Sequence, residues 1–149
     1  MTKIRVTKEF HFEMAHALWG YDGLCSNIHG HSYQLSVSII GDILNDNKHP
    51  KNGMVADFGD IKQLVKTHII KKLDHSFMIN EESEITGIDK NNPMFGRLIL
   101  VNFQPSCENL LVYFSSEIRK VLPLHLSLHS LKLRETGNSY AEWFASDNK

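Results

Sequence analysis

From Ile4 to His16 the chain alternates with period two. Ile4, Val6, Phe10, Phe12, Met14 and His16 fall on one face, and Arg5, Thr7, Glu9, His11 and Glu13 on the other. Lys8 is the one misfit on the apolar side. A second alternation runs from His29, with His31, Tyr33, Leu35, Val37 and Ile39 on one face and Gly30, Ser32, Gln34, Ser36 and Ser38 on the other. Such runs cannot lie quietly as helices, because each would scatter its apolar side chains around the axis. About a dozen residues, rich in Gly, Asp, Ser and Asn between Ala17 and Ile28, separate them, so they read as an antiparallel pair joined by a long loop.

The period then changes. After a polar connection from Gly41 to Gly53, apolar residues recur at helical steps: Phe58, Ile61, Leu64, Val65, Ile69 and Leu73, with Asp57 as N-cap. Residues Ser76 to Asn92 read as irregular, and Arg97 to Phe103 as a possible extra strand. Ser106 caps a second helix whose stripe is Leu110, Phe114, Ile118 and Val121, and Pro123 stops it. Leu126 to Glu135 reads as a strand with a slip between Leu128 and Leu131, a bulge signature. Thr136-Gly137-Asn138 turns it into a last strand from Ser139 to Trp143, followed by a loose tail. The order ββααββ, with two helices on one face of a four-stranded antiparallel sheet, makes one α+β domain over residues 1–149.

His29-Gly30-His31 is where spacing becomes chemistry. Residues two apart on a strand point the same way, and His16 ends the matching face of the preceding strand. Three imidazoles on an apolar face without a shared partner would be costly to desolvate, which favours a metal ion. Three nitrogen ligands and one open position describe a catalytic zinc site. Cys25, four residues before His29, belongs to the loop expected to overhang it. An ordinary cysteine is only ~3% thiolate at neutral pH, and a nearby cation would raise that fraction. An inert small apolar residue is the bland reading. Asp74-His75 is ambiguous by itself, because adjacent helical residues do not face each other. Glu135 shares its strand face with Leu131 and Leu133, so its carboxylate calls for a cationic or N–H-rich partner. His11, His49, His68, His125 and His129 read as surface or structural residues.

Composition removes several classes. A formal net charge of -1 with nine histidines counted neutral offers no basic field to nucleic acid. No apolar run approaches the ~20 residues that cross a bilayer, and the first ten residues alternate instead of forming a secretory apolar core. Two cysteines, Cys25 and Cys107, are too few for a disulfide framework and fit a reducing compartment, with the cytoplasm as the default.

Six fragments, in chain order, carry a resemblance. Phe10-His11-Phe12-Glu13-Met14-Ala15-His16 is similar to F-x-F-x-x-A-H, and Cys25-Ser26-Asn27-Ile28-His29-Gly30-His31 to C-x-x-x-H-G-H. Asp57-Phe58, Leu73-Asp74-His75, Pro105-Ser106-Cys107-Glu108-Asn109 and Glu135-Thr136 complete the set. Together they resemble the 6-pyruvoyl-tetrahydropterin synthase / 6-carboxytetrahydropterin synthase family, from about residue 4 to residue 143.

The resemblance implies the tunnelling fold, zinc on His16, His29 and His31, and a catalytic Cys25 with Asp74 and His75 as its acid/base pair. It also implies a pterin anchored by Glu135 with help from Ser106, Cys107 and Glu108. Its usual assembly is a homo-oligomer, a dimer of trimers with active sites between subunits. The short C-x-x-x-H spacing looks like the carboxy-forming enzymes, which convert 7,8-dihydroneopterin triphosphate to 6-carboxytetrahydropterin, acetaldehyde and triphosphate. A 6-pyruvoyl-forming enzyme and a non-catalytic zinc-stabilised pterin-binding module are the alternatives. Two departures stand out: the 76–104 connection is long, which allows a lid, an extra strand or an altered oligomer contact. Cys107 stands where a hydroxyl or other small side chain is usual, so only a backbone contact there would carry over.

Overall fold

The computed structural model describes residues 2–83 and 88–149. The two alternating runs form long strands, β1 (Lys3–His16) and β2 (His29–Asp42), paired antiparallel over their whole length. The register sets His16 opposite His29 and Met14 opposite His31. Phe10, Phe12, Met14, Tyr33, Leu35, Val37 and Ile39 are buried on the shared face, whereas Glu9, His11, Glu13, Ser32 and Gln34 are exposed on the other. Ile4 departs from its apolar pattern, being 40% exposed at the open end of the strand. Lys8 is half-buried on the core side opposite Val37, where its long stem covers apolar surface.

Helix α1 (Phe58–Val65) starts at Asp57, whose carboxylate accepts from Gly59 N at 2.6 Å. It continues through a π-helical stretch (Lys66–Ile70) into α2 (Lys71–Leu73). The wider turn lets Ile69 and Ile70 both reach the core beside Val65 and Leu73. Helix α3 (Cys107–Val121) is capped by Ser106, whose hydroxyl accepts from Asn109 N at 3.3 Å. Leu110, Leu111, Phe114 and Ile118 are buried on its sheet-facing stripe. Phe114 meets Phe12 edge-on, with centroids 6.2 Å apart, and Phe12 stacks on Tyr33 at 5.0 Å. Phe58, expected in the buried stripe, is 52% exposed because it sits in the first turn before the helix reaches the sheet.

The four-stranded expectation needs correction. The sheet has six strands in the order β4-β3-β1-β2-β5-β6, and it is mixed. Strand β3 (Ser76–Asn80) pairs parallel with β1 through Met14, Ala15 and His16, and β4 (Leu98–Val101) pairs parallel with β3. β4 answers the possible strand at 97–103. β3 replaces the first part of the irregular stretch, where a five-residue run with three contiguous apolar residues gives no readable period. Of the long 76–104 connection, residues 84–87 lie outside the described residues. β5 (Ser127–Thr136) and β6 (Ser139–Phe144) form the expected hairpin, and the register slip leaves His129 unpaired between Leu128 and Ser130. The tail ends in a short 3-10 turn, Ala145–Asp147. Among the described residues no helix is long and apolar enough to cross a membrane.

Candidate active site

Strand register gathers the histidines. His16 closes β1, His29 opens β2 directly across from it, and His31 follows one pleat later on the same face. Their ring centroids lie 4.6, 5.2 and 4.9 Å apart, and one nitrogen from each falls within 4.8 Å of the others. His16 is 1% exposed.

The hydrogen bonds around these rings decide what they can hold. His16 Nδ1 lies 2.7 Å from the carbonyl of Pro105, and His29 Nδ1 lies 2.7 Å from that of Asn27. A carbonyl only accepts, so each Nδ1 is the donor and each neutral ring leaves a lone pair on Nε2. Those two Nε2 atoms are 3.0 Å apart. His31 Nε2 is also buried, and no hydrogen-bond partner satisfies it. Two facing lone pairs with a third, unpartnered ring nitrogen beside them suit a cation. A proton is the poorer guest, because burial holds His16 and His31 below the usual imidazole range. A tetrahedral zinc ion bound at about 2.0–2.1 Å places its nitrogen ligands ~3.3 Å apart, close to the spacing of the nearest pair. The donor set therefore fits zinc, with carbonyls behind two of the three rings in the manner of metal-binding histidines.

Beside the rings lies a pocket of about 180 Å³ lined by His16, Cys25, Ser106, Cys107, Glu108 and Glu135, among others. The fold thus brings together all but two of the catalytic and pterin-binding candidates read from the sequence. Cys25 sits in a one-turn 3-10 helix (Leu24–Ser26) of the β1–β2 loop, half-buried and free, with its carbonyl accepting from Leu18 N at 2.9 Å. Cys107 is free as well, so no Cys25–Cys107 bridge exists. Its thiol donates to the carbonyl of Leu133 at 3.3 Å, and burial, reinforced by the Glu135 charge, pushes its pKa up to about 12. Cys107 is therefore a poor source of thiolate.

Glu135 meets a hydroxyl donor and stands near one histidine ring, short of the cationic or N–H-rich partner its apolar strand face called for. Tyr33 Oη donates to Oε2 at 3.4 Å, and His31 Nε2 lies 3.7 Å from Oε1. Burial first, then the Glu135 carboxylate, raises the pKa of Tyr33, so its hydroxyl stays a donor. The alternation puts Tyr33 on the buried face but does not mark it as part of the site. Its position two residues after His31 was the available signal.

Asp74 and His75 do not line this pocket. The helical rod ends at Leu73, Asp74 is extended, and His75 takes the left-handed conformation at φ 61°. That turn overcomes the objection to neighbouring helical residues: His75 Nδ1 lies 3.1 Å from Asp74 Oδ1. Asp74 Oδ1 also accepts from Glu13 N at 2.9 Å, and His75 N donates to the Glu13 carbonyl at 2.6 Å. The Glu13 N–H, then His75, holds the Asp74 carboxyl below its usual range. The His75 side chain is 74% exposed.

Residues 5–146 match the model of one protein family, described as 6-pyruvoyl tetrahydropterin synthase. The chain belongs to that family. A 6-carboxy-5,6,7,8-tetrahydropterin synthase of Haemophilus influenzae is 37% identical over 145 residues, covering 93% of this chain and 97% of the relative. A 6-pyruvoyl tetrahydrobiopterin synthase of Pongo abelii is 32% identical over 119 residues, covering 78% of this chain and 68% of the relative. The fold is that of the 6-pyruvoyl tetrahydropterin synthase of Caenorhabditis elegans, with a TM-score of 0.69, 21% identity and 97% of each chain covered. The pocket and the histidine cluster are thus features of a pterin synthase family member.

Proposed function

We propose that this protein is a zinc-dependent 6-carboxy-5,6,7,8-tetrahydropterin synthase, converting 7,8-dihydroneopterin triphosphate to 6-carboxytetrahydropterin with release of acetaldehyde and triphosphate. The observation that carries the reading is the convergence of three imidazole nitrogens beside a pocket holding both a free thiol and a carboxylate. The carboxy-forming reading is favoured by the relative from Haemophilus influenzae, which aligns over nearly its full length at higher identity than the 6-pyruvoyl relative.

His16, His29 and His31 would hold the zinc, whose Lewis acidity polarises side-chain oxygens and so acidifies adjacent C–H bonds. Glu135, at the pocket wall, would accept the N–H groups of the pterin ring, with Tyr33 orienting its carboxylate. The first turn of α3 from Ser106 to Glu108 would border the ring; with the Cys107 thiol committed to Leu133, its backbone is the better contact. Cys25 would take or return a proton at the substrate side chain, and His75, tuned by Asp74, would serve the other step.

Because Asp74 and His75 lie off the pocket, the pair would come from a neighbouring copy, which fits a dimer of trimers with sites between subunits. The terminal strands β4 and β6 leave main-chain groups open to such pairing. Residues 1–149 would form one domain, and the free cysteines suit a reducing cytoplasm.

Incubation of the zinc-loaded protein with dihydroneopterin triphosphate, followed by mass spectrometry of all products, tests the reading. Acetaldehyde together with 6-carboxytetrahydropterin is the expected result. Triphosphate release with the side chain retained would mean a 6-pyruvoyl-forming enzyme, and binding without turnover a pterin-binding module.

A further inference from the structure

Arg97 stands just before β4, in the long connection between β3 and α3. Its side chain turns back onto the end of the helical rod. Nη2 donates to the carbonyls of Lys71 at 2.8 Å and Lys72 at 3.2 Å, and Nε donates to that of Asp74 at 3.1 Å. A helix end leaves its last carbonyls without intrahelical partners, and here one guanidinium satisfies three groups around the corner. A cation at this end also complements the helix dipole. The main chain of Arg97 is tied to the same corner, since Phe77 N donates to its carbonyl at 3.1 Å.

The corner is clamped from two sides. On one, Glu13 of β1 exchanges hydrogen bonds with Asp74 Oδ1 and His75 N. On the other, Arg97 grips the carbonyls before and at Asp74. Between these lies His75 at φ 61°, a conformation that a residue with a Cβ keeps only when its surroundings impose it. The Asp74–His75 contact exists because of that turn; the His75 ring is largely exposed, while the Asp74 carboxylate stays tied to the Glu13 N–H.

We infer that Arg97 is a positioning residue for the Asp74–His75 pair, holding the turn that brings the imidazole and the carboxylate together. This gives the long connection a task, since β4 pairing beside β3 is what delivers Arg97 to the helix end. The acid/base role of the pair rests on the proposed function; the clamp itself does not. Arg97 touches no reacting group, so its influence runs only through the placement of Asp74 and His75.

The test compares zinc-loaded wild type, Arg97→Gln and Arg97→Lys. With dihydroneopterin triphosphate, Arg97→Gln should lose about 10- to 100-fold in kcat with KM within about twofold, the size of effect that slight misplacement of a reacting group produces. Arg97→Lys, which keeps the charge but not the fork, should recover part of that loss. Hydrogen exchange followed by NMR should show the amides of Glu13 and His75 exchanging at least ~10-fold faster in Arg97→Gln, with those of Tyr33 and Leu35 unchanged. Unchanged kcat in an active enzyme, unchanged exchange at both amides, or loosening spread through β1 and β2 would each overturn the inference. If the wild type makes no product, the proposed reaction fails, while the exchange data still decide the clamp.

Discussion

His16 and His29 face each other across β1 and β2 with their Nε2 atoms 3.0 Å apart, while the Nδ1 of each is engaged by a main-chain carbonyl. Two acceptors have been set against each other, and burial holds His16 below the usual imidazole range. Removing one should therefore remove the reason for a metal. His29→Ala is expected to lower bound zinc to near nothing by atomic absorption, and unchanged zinc would mean that the ligand set is wrong.

Cys25 lines the pocket but belongs to the β1–β2 loop, apart from the strands that carry the three histidine rings. Cys25→Ala should keep zinc and oligomeric state while losing turnover by about 10²–10⁴-fold, the range for loss of a positioned acid or base. Full activity in steady-state assays of that variant would remove the cysteine from the mechanism.

Glu135 is close to both Tyr33 and His31, so its role can be read from two measurements made on one variant. Glu135→Gln keeps the shape and loses the charge. Weaker pterin binding by about 1.5–3 kcal/mol, seen as a raised KM, is expected with zinc content intact. A fall in zinc instead would make Glu135 a metal ligand.

Asp74 links charge to pH. Its carboxyl is held below the usual range, chiefly by the Glu13 N–H and then by His75. The native state thus keeps this charge to lower pH than the unfolded chain does. The resulting stabilisation is complete above the unfolded value near 3.9 and is lost as pH falls through the lower native one. Because the side chain is 40% exposed, Asp74→Ala should cost only about 1 kcal/mol at pH 7 in urea titrations. The gap to wild type should narrow in acid below pH ~4. A gap independent of pH would show that the charge is not what matters.

Phe114 is fully buried and packs edge-on against Phe12, one layer below Tyr33. Phe114→Ala should destabilise the fold by about 3–5 kcal/mol in denaturant titration, through lost burial and the cavity left behind. A loss below ~1 kcal/mol would mean that α3 closes over the gap at little cost.

Period and spacing determined which faces of β1 and β2 are buried, where α1 and α3 begin, the bulge near Leu128, and the shared face of His16, His29 and His31. These features are local, since each follows from side chains a few residues apart on one element and from caps that bond to their own helix. Tertiary structure decided what depends on distant partners. It set the register that opposes His16 and His29, gave Glu135 the Tyr33 hydroxyl, and added β3 and β4 in parallel to the edge of β1. It also turned Asp74 and His75 toward each other at the end of a helix, outside the lining of the pocket that holds Cys25. Pairing between segments far apart in the chain leaves no period in either one, and a left-handed histidine held by Glu13 and Arg97 has no local signature at all.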